Sequence, residues 1–396
     1  MEPVTHILTG ACLSRSGLNR RAAYTTLAMA IAAELPDIDT LWSLRGSVAG
    51  FQHHRGITHT FVGIPFEAAI VVAAIYGLHR WRTARAQRLV PPPHASQDDH
   101  VPAPQPLTAA PVRWGLLYLF TLLALLSHLL LDYTNNYGIR PFFPFNPHWY
   151  AASIVFIFDP LIFLLLLAAF VLPAIFGLVG SEVGARRQPF RGRSLAIAAL
   201  LGIVALWTFR AVEHNRAVQL ALAQSVAAPS ESPATPPSDS QNASAPGTAA
   251  PSEPPPQIYL SPQRVLASPD PLSPFHWSAA MDYGPFYQLA EIDTRSGSVS
   301  AAYHTLLKPS RSAAVLAAEA SPLGRAFIDW SPMPLVMAGL PEPGAPRVVT
   351  FRDPRFMGGW LREHSTSPLT ATVELDSDNH VIDEAMDEPV QQKPDR

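Results

Sequence analysis

Four apolar stretches set the terms on which this chain can fold. Phe61 to Leu78 carries Glu67 as its only charge, and Trp114 to Leu131 carries none. Ile154 to Val179 has only Asp159, beside Pro160, and Leu195 to Phe209 is a shorter run without charge. Hydrocarbon offers backbone N–H and C=O groups no partners, so a lone segment that crosses it must bond internally as a helix. About 20 helical residues suffice for the crossing. Charged residues make up 15% of the sequence, against roughly 25% in soluble globular chains. The fold expected is an all-α polytopic membrane helix bundle over residues 1–215. Two earlier apolar stretches, 3–13 and 22–35, are each too short to cross alone. They read equally as a helical hairpin or as a helix plus a short span, which leaves the number of passes before residue 60 open. The N-terminus lacks the basic start and uninterrupted apolar core of a cleaved signal peptide.

Beyond the bundle the composition changes twice. Residues 224–256 are almost entirely Ala, Pro and Ser. Such a segment has too little apolar surface to offset its ordering entropy, so a disordered linker is expected. From Gln257 to the end, runs such as Phe286–Ile292, Arg347–Phe351 and Leu369–Leu375 are β-rich or alternate, which points to a small soluble, mostly-β C-terminal domain with a fraying acidic tail. A net charge of −3 gives no basic surface for nucleic acid. The single cysteine, Cys12, excludes both an intrachain disulfide and a thiolate zinc site. Membrane lipids are the expected partners, and no protein partner is legible.

Titratable residues gather between the apolar stretches. Asp37 and Asp39 follow Pro36. His53, His54, Arg55, Thr58 and His59 lie in the next loop, and His128 and Asp132 close the second long stretch. Basic residues 80–88 and 186–193 fall in loops separated by two spans, hence on one side, and arginine-rich loops stay cytoplasmic. The segments 34–60 and 132–153 must then share the opposite face, so residues far apart in sequence converge at one membrane surface. His128 and Asp132, four apart, project from one side of a helix, and ionisable groups in membrane helices suggest function. The plain alternative is a polar pair that ends the span. Asp37 and Asp39 would repel unless a cation lay near them, or one of them caps a following helix. Arg55 can fork onto an anion, and Thr58 is placed to cap a helix starting near His59. His53 and His6 read first as bystander and packing residues, and Glu67 as a neutral carboxylic acid within the bundle or a proton carrier. Carboxylate and imidazole suit Zn²⁺, Mn²⁺ or Fe²⁺. Asp37, Asp39, His59, His128 and Asp132 are the preferred ligands, with His54 and His6 next.

An ordered set of short motifs carries a resemblance. Thr5-His6 before a small-residue helix, Leu35-Pro36-Asp37-Ile38-Asp39, His54-Arg55-Gly56-Ile57-Thr58-His59, and Ser127-His128 through Asp132-Tyr133-Thr134 with Gly138 resemble the YdjM-like family of predicted inner-membrane metal-dependent hydrolases. The resemblance covers roughly residues 1–180. It implies a divalent metal held among His6, Asp37, Asp39, His54, His59, His128 and Asp132, with Arg55 and Thr134 in accessory catalytic positions. The family's usual Thr-His-Ser reads Thr58-His59-Thr60 here, which keeps the hydroxyl. The function expected is a multi-pass inner (plasma) membrane hydrolase with its metal site and C-terminal domain on the external face, acting on a lipid or lipid-linked (phospho)ester. A non-catalytic metal-binding or proton-coupled membrane protein is the alternative. With Glu67 almost alone in mid-span, a surface site fits better than a path through the membrane.

Overall fold

A computed structural model describes residues 1–88, 110–182, 192–227, 259–302, 304–340, 345–358 and 369–387. The loop expected over 91–111 (save its last two residues), Arg186, Arg187 and Arg191, the Ala/Pro/Ser linker from 228 onward, and the last residues of the tail lie outside the described residues.

Helices α1 (Pro3–Arg15) and α2 (Thr25–Glu34) form the hairpin that opens the chain. They approach closely because Gly10 has no side chain: a Cβ there would stand 2.3 Å from the Met29 carbonyl. A 3₁₀ helix (Leu35–Arg45), a short α3 (Ser47–His53) and a tight turn follow, then α4 (Ile64–Arg88). The helix expected to start near His59 begins only at Ile64, and Thr58 does not cap it. The basic segment 80–88, read as a loop, is the last part of α4. Arginines interrupt its apolar face, so α4 is not apolar for long enough to cross alone. With residues 47–59 it forms a pair bent by 84°. Among the described residues, three helices do have the length and composition to cross a membrane: α5 (Trp114–Thr134), α6 over Pro160–Gly177, and α7 (Arg193–Leu222). Asp159 starts α6, as the Asp-Pro pair suggests, by accepting from the amides of Leu161 and Ile162 at 3.0 and 3.2 Å.

One apolar core joins α2, α4 and α5 through Met29, Val71, Phe120 and Leu125. A second joins α1, α5, α6 and α7 through Cys12, Leu131, Ile162 and Ile203. Cys12 is fully buried, the packing role expected of it. Arg193 donates to the Ser16 carbonyl at 2.9 Å, which pins the start of α7 to the α1–α2 turn at the end of the bundle away from residues 128–132.

Helix α7 runs on past Phe209, where the apolar stretch ends. Arg210 and Glu213 interrupt the hydropathy, yet both are buried. Ala217 and Ala221 pack against Trp277 and Met281 of the β-rich region, so residue 215, the limit expected for the bundle, falls inside a helix shared by both parts. The C-terminal part is mostly β. Strands β3 (Arg264–Pro269), β4 (His276–Asp282), β5 (Phe286–Asp293), β6 (Ser298–Val299) and β7 (His304–Leu307) form one antiparallel sheet. Strands β8 (Leu335–Ala338), β9 (Arg347–Arg352), β10 (Ala371–Leu375) and β11 (Val381–Met386) form another, covered by α8 (Ala313–Glu319) and α9 (Pro322–Trp330). Two short strands pair antiparallel: β1 (Val226–Ala227), which falls inside the stretch 224–256 expected as a disordered linker, and β2 (Tyr259–Leu260) beyond it.

This domain sits on the site end of the bundle. Phe51 of α3 packs against Phe327 and Trp330, with ring centroids 5.9 and 5.5 Å apart. The Trp330 indole donates to the Tyr137 carbonyl at 3.2 Å, and Arg355 donates to the Asn136 carbonyl at 2.7 Å.

Candidate metal centre at the mouth of the bundle

The last turn of α5 places His128 and Asp132 one above the other, and both are fully buried. The chain then turns through Asn135 and Gly138. Gly138 has φ +86°, and a Cβ on it would meet the Tyr150 carbonyl at 2.9 Å, so the turn needs glycine. The 3₁₀ helix brings in Asp37 and Asp39, and the following turn brings in His59.

Asp37, His59, His128 and Asp132 each offer one ligand atom, all within 4.8 Å of one another. His59 Nε2 lies 3.1 Å from His128 Nε2, 3.2 Å from Asp37 Oδ1 and 3.5 Å from Asp132 Oδ2. His128 Nε2 lies 3.6 Å from each of the same two carboxylates. Tetrahedral sites with ligand bonds of about 2.0–2.1 Å have ligand–ligand edges near 3.3–3.4 Å, and these separations bracket that value. The other nitrogen of each ring is already engaged. His128 Nδ1 faces the Ala33 carbonyl at 2.7 Å, which can only accept, so Nδ1 carries the proton. His59 Nδ1 faces Asp39 Oδ2 at 3.2 Å, a carboxylate behind the imidazole that fixes its tautomer. With both rings neutral, two ring lone pairs and two carboxylates converge there. Against burial, hydrogen bonds to Asp132, Asp37 and Asp39 push His59 up to about 10, so a ring proton competes for the place of an ion. The donor set fits a divalent ion of the Zn²⁺, Mn²⁺ or Fe²⁺ kind.

The remaining expected residues surround this group. Asp39 stands one layer back. It accepts from the Arg55 amide at 2.7 Å and from Thr58 Oγ1 at 3.1 Å, and it pairs with His54 Nδ1 at 3.1 Å. Burial alone would raise its carboxyl; hydrogen bonding to His54 and His59 outweighs that and holds it well below the usual carboxylate range. Arg55 Nη2 pairs with Asp132 Oδ2 at 2.9 Å, and its Nη1 donates to the Gly138 carbonyl at 2.6 Å. Its guanidinium also lies 4.7 Å from the Tyr137 ring centroid. Arg55 adopts φ +53°, a strained conformation for a side-chain-bearing residue that is held here by its amide bond to Asp39. The Met1 amino group also contacts Asp132. His6 is fully buried, stacks on His128 with centroids 3.8 Å apart and stands 3.4 Å from Asp132. Neither of its ring nitrogens has a hydrogen-bond partner, as expected of a further ligand or of a group facing one.

One expectation ends elsewhere. The Thr134 hydroxyl donates to the Leu131 carbonyl at 2.7 Å within its own helix. His53, read as a bystander, is exposed and stacks on Trp42. Neither Asp37 nor Asp39 caps a helix.

A cavity of about 870 Å³ opens over the cluster. Asp37, His54 and Arg55 line it from the helical side, and Phe356, Leu369 and Met386 line it from the C-terminal domain. It reveals one residue that sequence reasoning passed over. Glu34 ends α2 at the cavity wall with Oε2 unpartnered. Burial and the neighbouring Asp37 push its carboxyl up to about 8. Its place directly before Leu35-Pro36-Asp37 was the available signal.

A model of the YdjM inner membrane protein family matches residues 1–217, more than half of the chain. The chain belongs to the YdjM inner membrane protein family. The YdjM match takes in every residue of the cluster and ends inside α7, so the β-rich domain lies outside it. Among curated proteins, the uncharacterized protein YfhP of Bacillus subtilis (strain 168) is 27% identical over 177 residues, 43% of this chain and 45% of YfhP. The matched stretch therefore spans less than half the length of that relative. No solved structure matches the chain.

Proposed function

We propose that this YdjM-family protein is a membrane-bound, metal-dependent hydrolase acting on a lipid or lipid-linked phosphoester at the external face of the membrane. One observation carries the reading: two imidazole lone pairs and two carboxylates converge at metal-ligand spacing, with the back nitrogen of each ring committed to an acceptor. Asp37, His59, His128 and Asp132 would hold the ion, with His6 beside them. A bound divalent ion supplies Lewis acidity there, polarising a scissile group and acidifying a water. Asp39 keeps His59 turned toward the cluster. Arg55, anchored on Asp132 at the cavity wall, favours an anionic group in the cavity. Glu34, with its free Oε2 at that wall, is the group placed to exchange a proton. The orientation rests on charge. Arg80, Arg82, Arg85, Arg88, Arg113 and Arg193 belong to the end of the bundle away from the cluster, and that end is assigned to the cytoplasm.

The test is elemental analysis of the full chain purified in detergent, beside His128→Ala and Asp132→Ala, followed by a screen of lipid phosphoesters. A near-stoichiometric transition metal, lost in both variants together with phosphoester hydrolysis, is the expected result. A wild type that stays metal-free after reconstitution with Zn²⁺, Mn²⁺ and Fe²⁺ would sink the proposal. Metal without turnover of any lipid phosphoester would favour the non-catalytic metal-binding reading.

A further inference from the structure

The 3₁₀ helix Leu35–Arg45 is long for its kind, since runs beyond three or four residues are uncommon. With three residues per turn, every third side chain falls on one stripe. Asp37, Thr40 and Ser43 form one stripe, and all three line the cavity over the cluster. Ile38, Leu41 and Leu44 form another and stand 50%, 58% and 85% exposed. On the third stripe Pro36 and Asp39 are buried, while Trp42 is exposed and stacks on His53. The element is therefore a wall, with one face on the polar cavity and an apolar face turned outward.

Behind that outward face lies a second cavity of about 490 Å³. Ile7 of α1, Ala30 and Ile31 of α2, and Leu35, Ile38 and Leu41 line it. It shares Glu34, Asp37 and Thr40 with the first cavity, so the two meet at the cluster. The groove is apolar along its length and polar only at that inner end. Its rim continues into exposed Val4, Ile7, Leu27 and Ile31 on the α1–α2 hairpin. In water such a patch would be a liability. Beside helices long enough to cross a bilayer it is a surface for hydrocarbon.

We infer that this lateral groove, walled by α1, α2 and the outward stripe Ile38–Leu41 of the 3₁₀ helix, holds the hydrocarbon chain of an anionic membrane lipid whose headgroup reaches the Asp37 end. The chain needs no hydrogen bonds and meets none along the groove. The headgroup meets Thr40 between the Glu34 and Asp37 carboxylates, whose charge an ion at the cluster would offset, and Arg55 at the cavity beyond. A soluble phosphoester would have no use for the groove. The assignment of the headgroup rests on the metal-site reading; the assignment of the chain rests on the groove alone.

The experiment uses the full chain in nanodiscs of phosphatidylethanolamine and phosphatidylglycerol, doped with phosphatidic acid that carries a photoactivatable diazirine in its acyl chain. Labelled peptides are mapped by mass spectrometry, and metal content is measured on the same samples. The expected label concentrates on residues 30–41. Ala30→Trp, which fills the groove, and Leu41→Asp, an exposed change that puts a carboxylate against the chain, each lower it roughly tenfold. Leu119→Trp, on an exposed position of α5, leaves it unchanged. Excess unlabelled phosphatidic acid competes, and phosphatidylcholine does not. Label spread evenly over the apolar helices, label that survives both groove variants, or equal competition by the two lipids overturns the proposal. A metal-free protein that still gives the expected pattern sustains the lipid groove while the hydrolase reading falls, so the two failures are distinguishable.

Discussion

Two buried polar clusters lie toward the same end of the bundle, and they are built on opposite principles. Asp159 and Arg210 meet at 3.0 Å, fully buried, one carboxylate to one guanidinium. Asp159 caps α6, and Arg210 donates to the Asp270 carbonyl at 3.2 Å, while Arg210 Nε keeps no hydrogen-bond partner. The pair balances its charge one to one and latches α6 to α7 and α7 to the β-rich domain. The other cluster does not close. Asp37, Asp39 and Asp132 face Arg55 and the Met1 amino group, and Asp37 has only imidazoles for neighbours. The Asp159–Arg210 pair cancels its own charge, whereas this set meets its carboxylates partly through imidazoles whose lone pairs could equally turn to a cation.

Removing the ion should separate the two most sharply. Chelation should lower wild-type stability by about 4 kcal/mol if the metal had been present at a thousandfold its Kd. In Asp132→Asn the chelator should change nothing, as thermal shifts in detergent would report. Equal chelator sensitivity in wild type and variant would erase the distinction. Breaking the balanced cluster with Arg210→Met should cost about 3 kcal/mol through an unpaired buried carboxylate, while metal content per folded molecule stays at the wild-type level. Loss of metal in Arg210→Met would mean the latch and the site are one unit.

Between these lies the layer behind the ligands. Asp39→Asn keeps the shape but weakens the hold on His59 Nδ1, so metal affinity should fall about 10–100-fold, measured by competition with a chromogenic chelator. An unchanged affinity would remove Asp39 from the site. The smallest effect is expected at Thr134. Thr134→Val removes one hydrogen bond inside a helix, costs about 1 kcal/mol and leaves metal content intact. Metal loss there would restore Thr134 to the accessory role that the family resemblance implies.

The four residues that could hold an ion were legible because their evidence is local: residue type, a four-residue helical spacing, and loops that topology sends to one face. Asp39 and His54 carry the same residue types, and only coordinates show that Asp39 backs His59 and that His54 pairs with Asp39. The span at Phe61–Leu78 stands only as part of a bent pair, because an apolar run does not record the 84° bend at its start or the arginines that continue the helix. α7 was cut short at Phe209 for the converse reason, since Arg210 and Glu213 look like an end in one dimension and are buried in three. Helices α8 and α9 went unread among β-rich runs. Ser312 and Ser321 cap them, accepting from the amides of Val315 and Gly324, but elements this short leave little periodicity to detect. The 3₁₀ helix left no helical signature in the sequence, because Pro36 and the mixed polar and apolar residues after it follow a period of three instead of 3.6.

The pairing of β1 with β2 has a practical consequence. Residues 227 and 259 are brought side by side, so the intervening segment departs from and returns to one spot instead of measuring a distance between two bodies. Its length is thus uncoupled from the placement of the C-terminal domain over the cavity, which α7 and the contacts of Trp330 and Arg355 secure. A protease cut between 228 and 258 should leave both fragments associated and the cavity roofed. A fluorescent protein spliced into that segment should report on the molecule without disturbing its mouth.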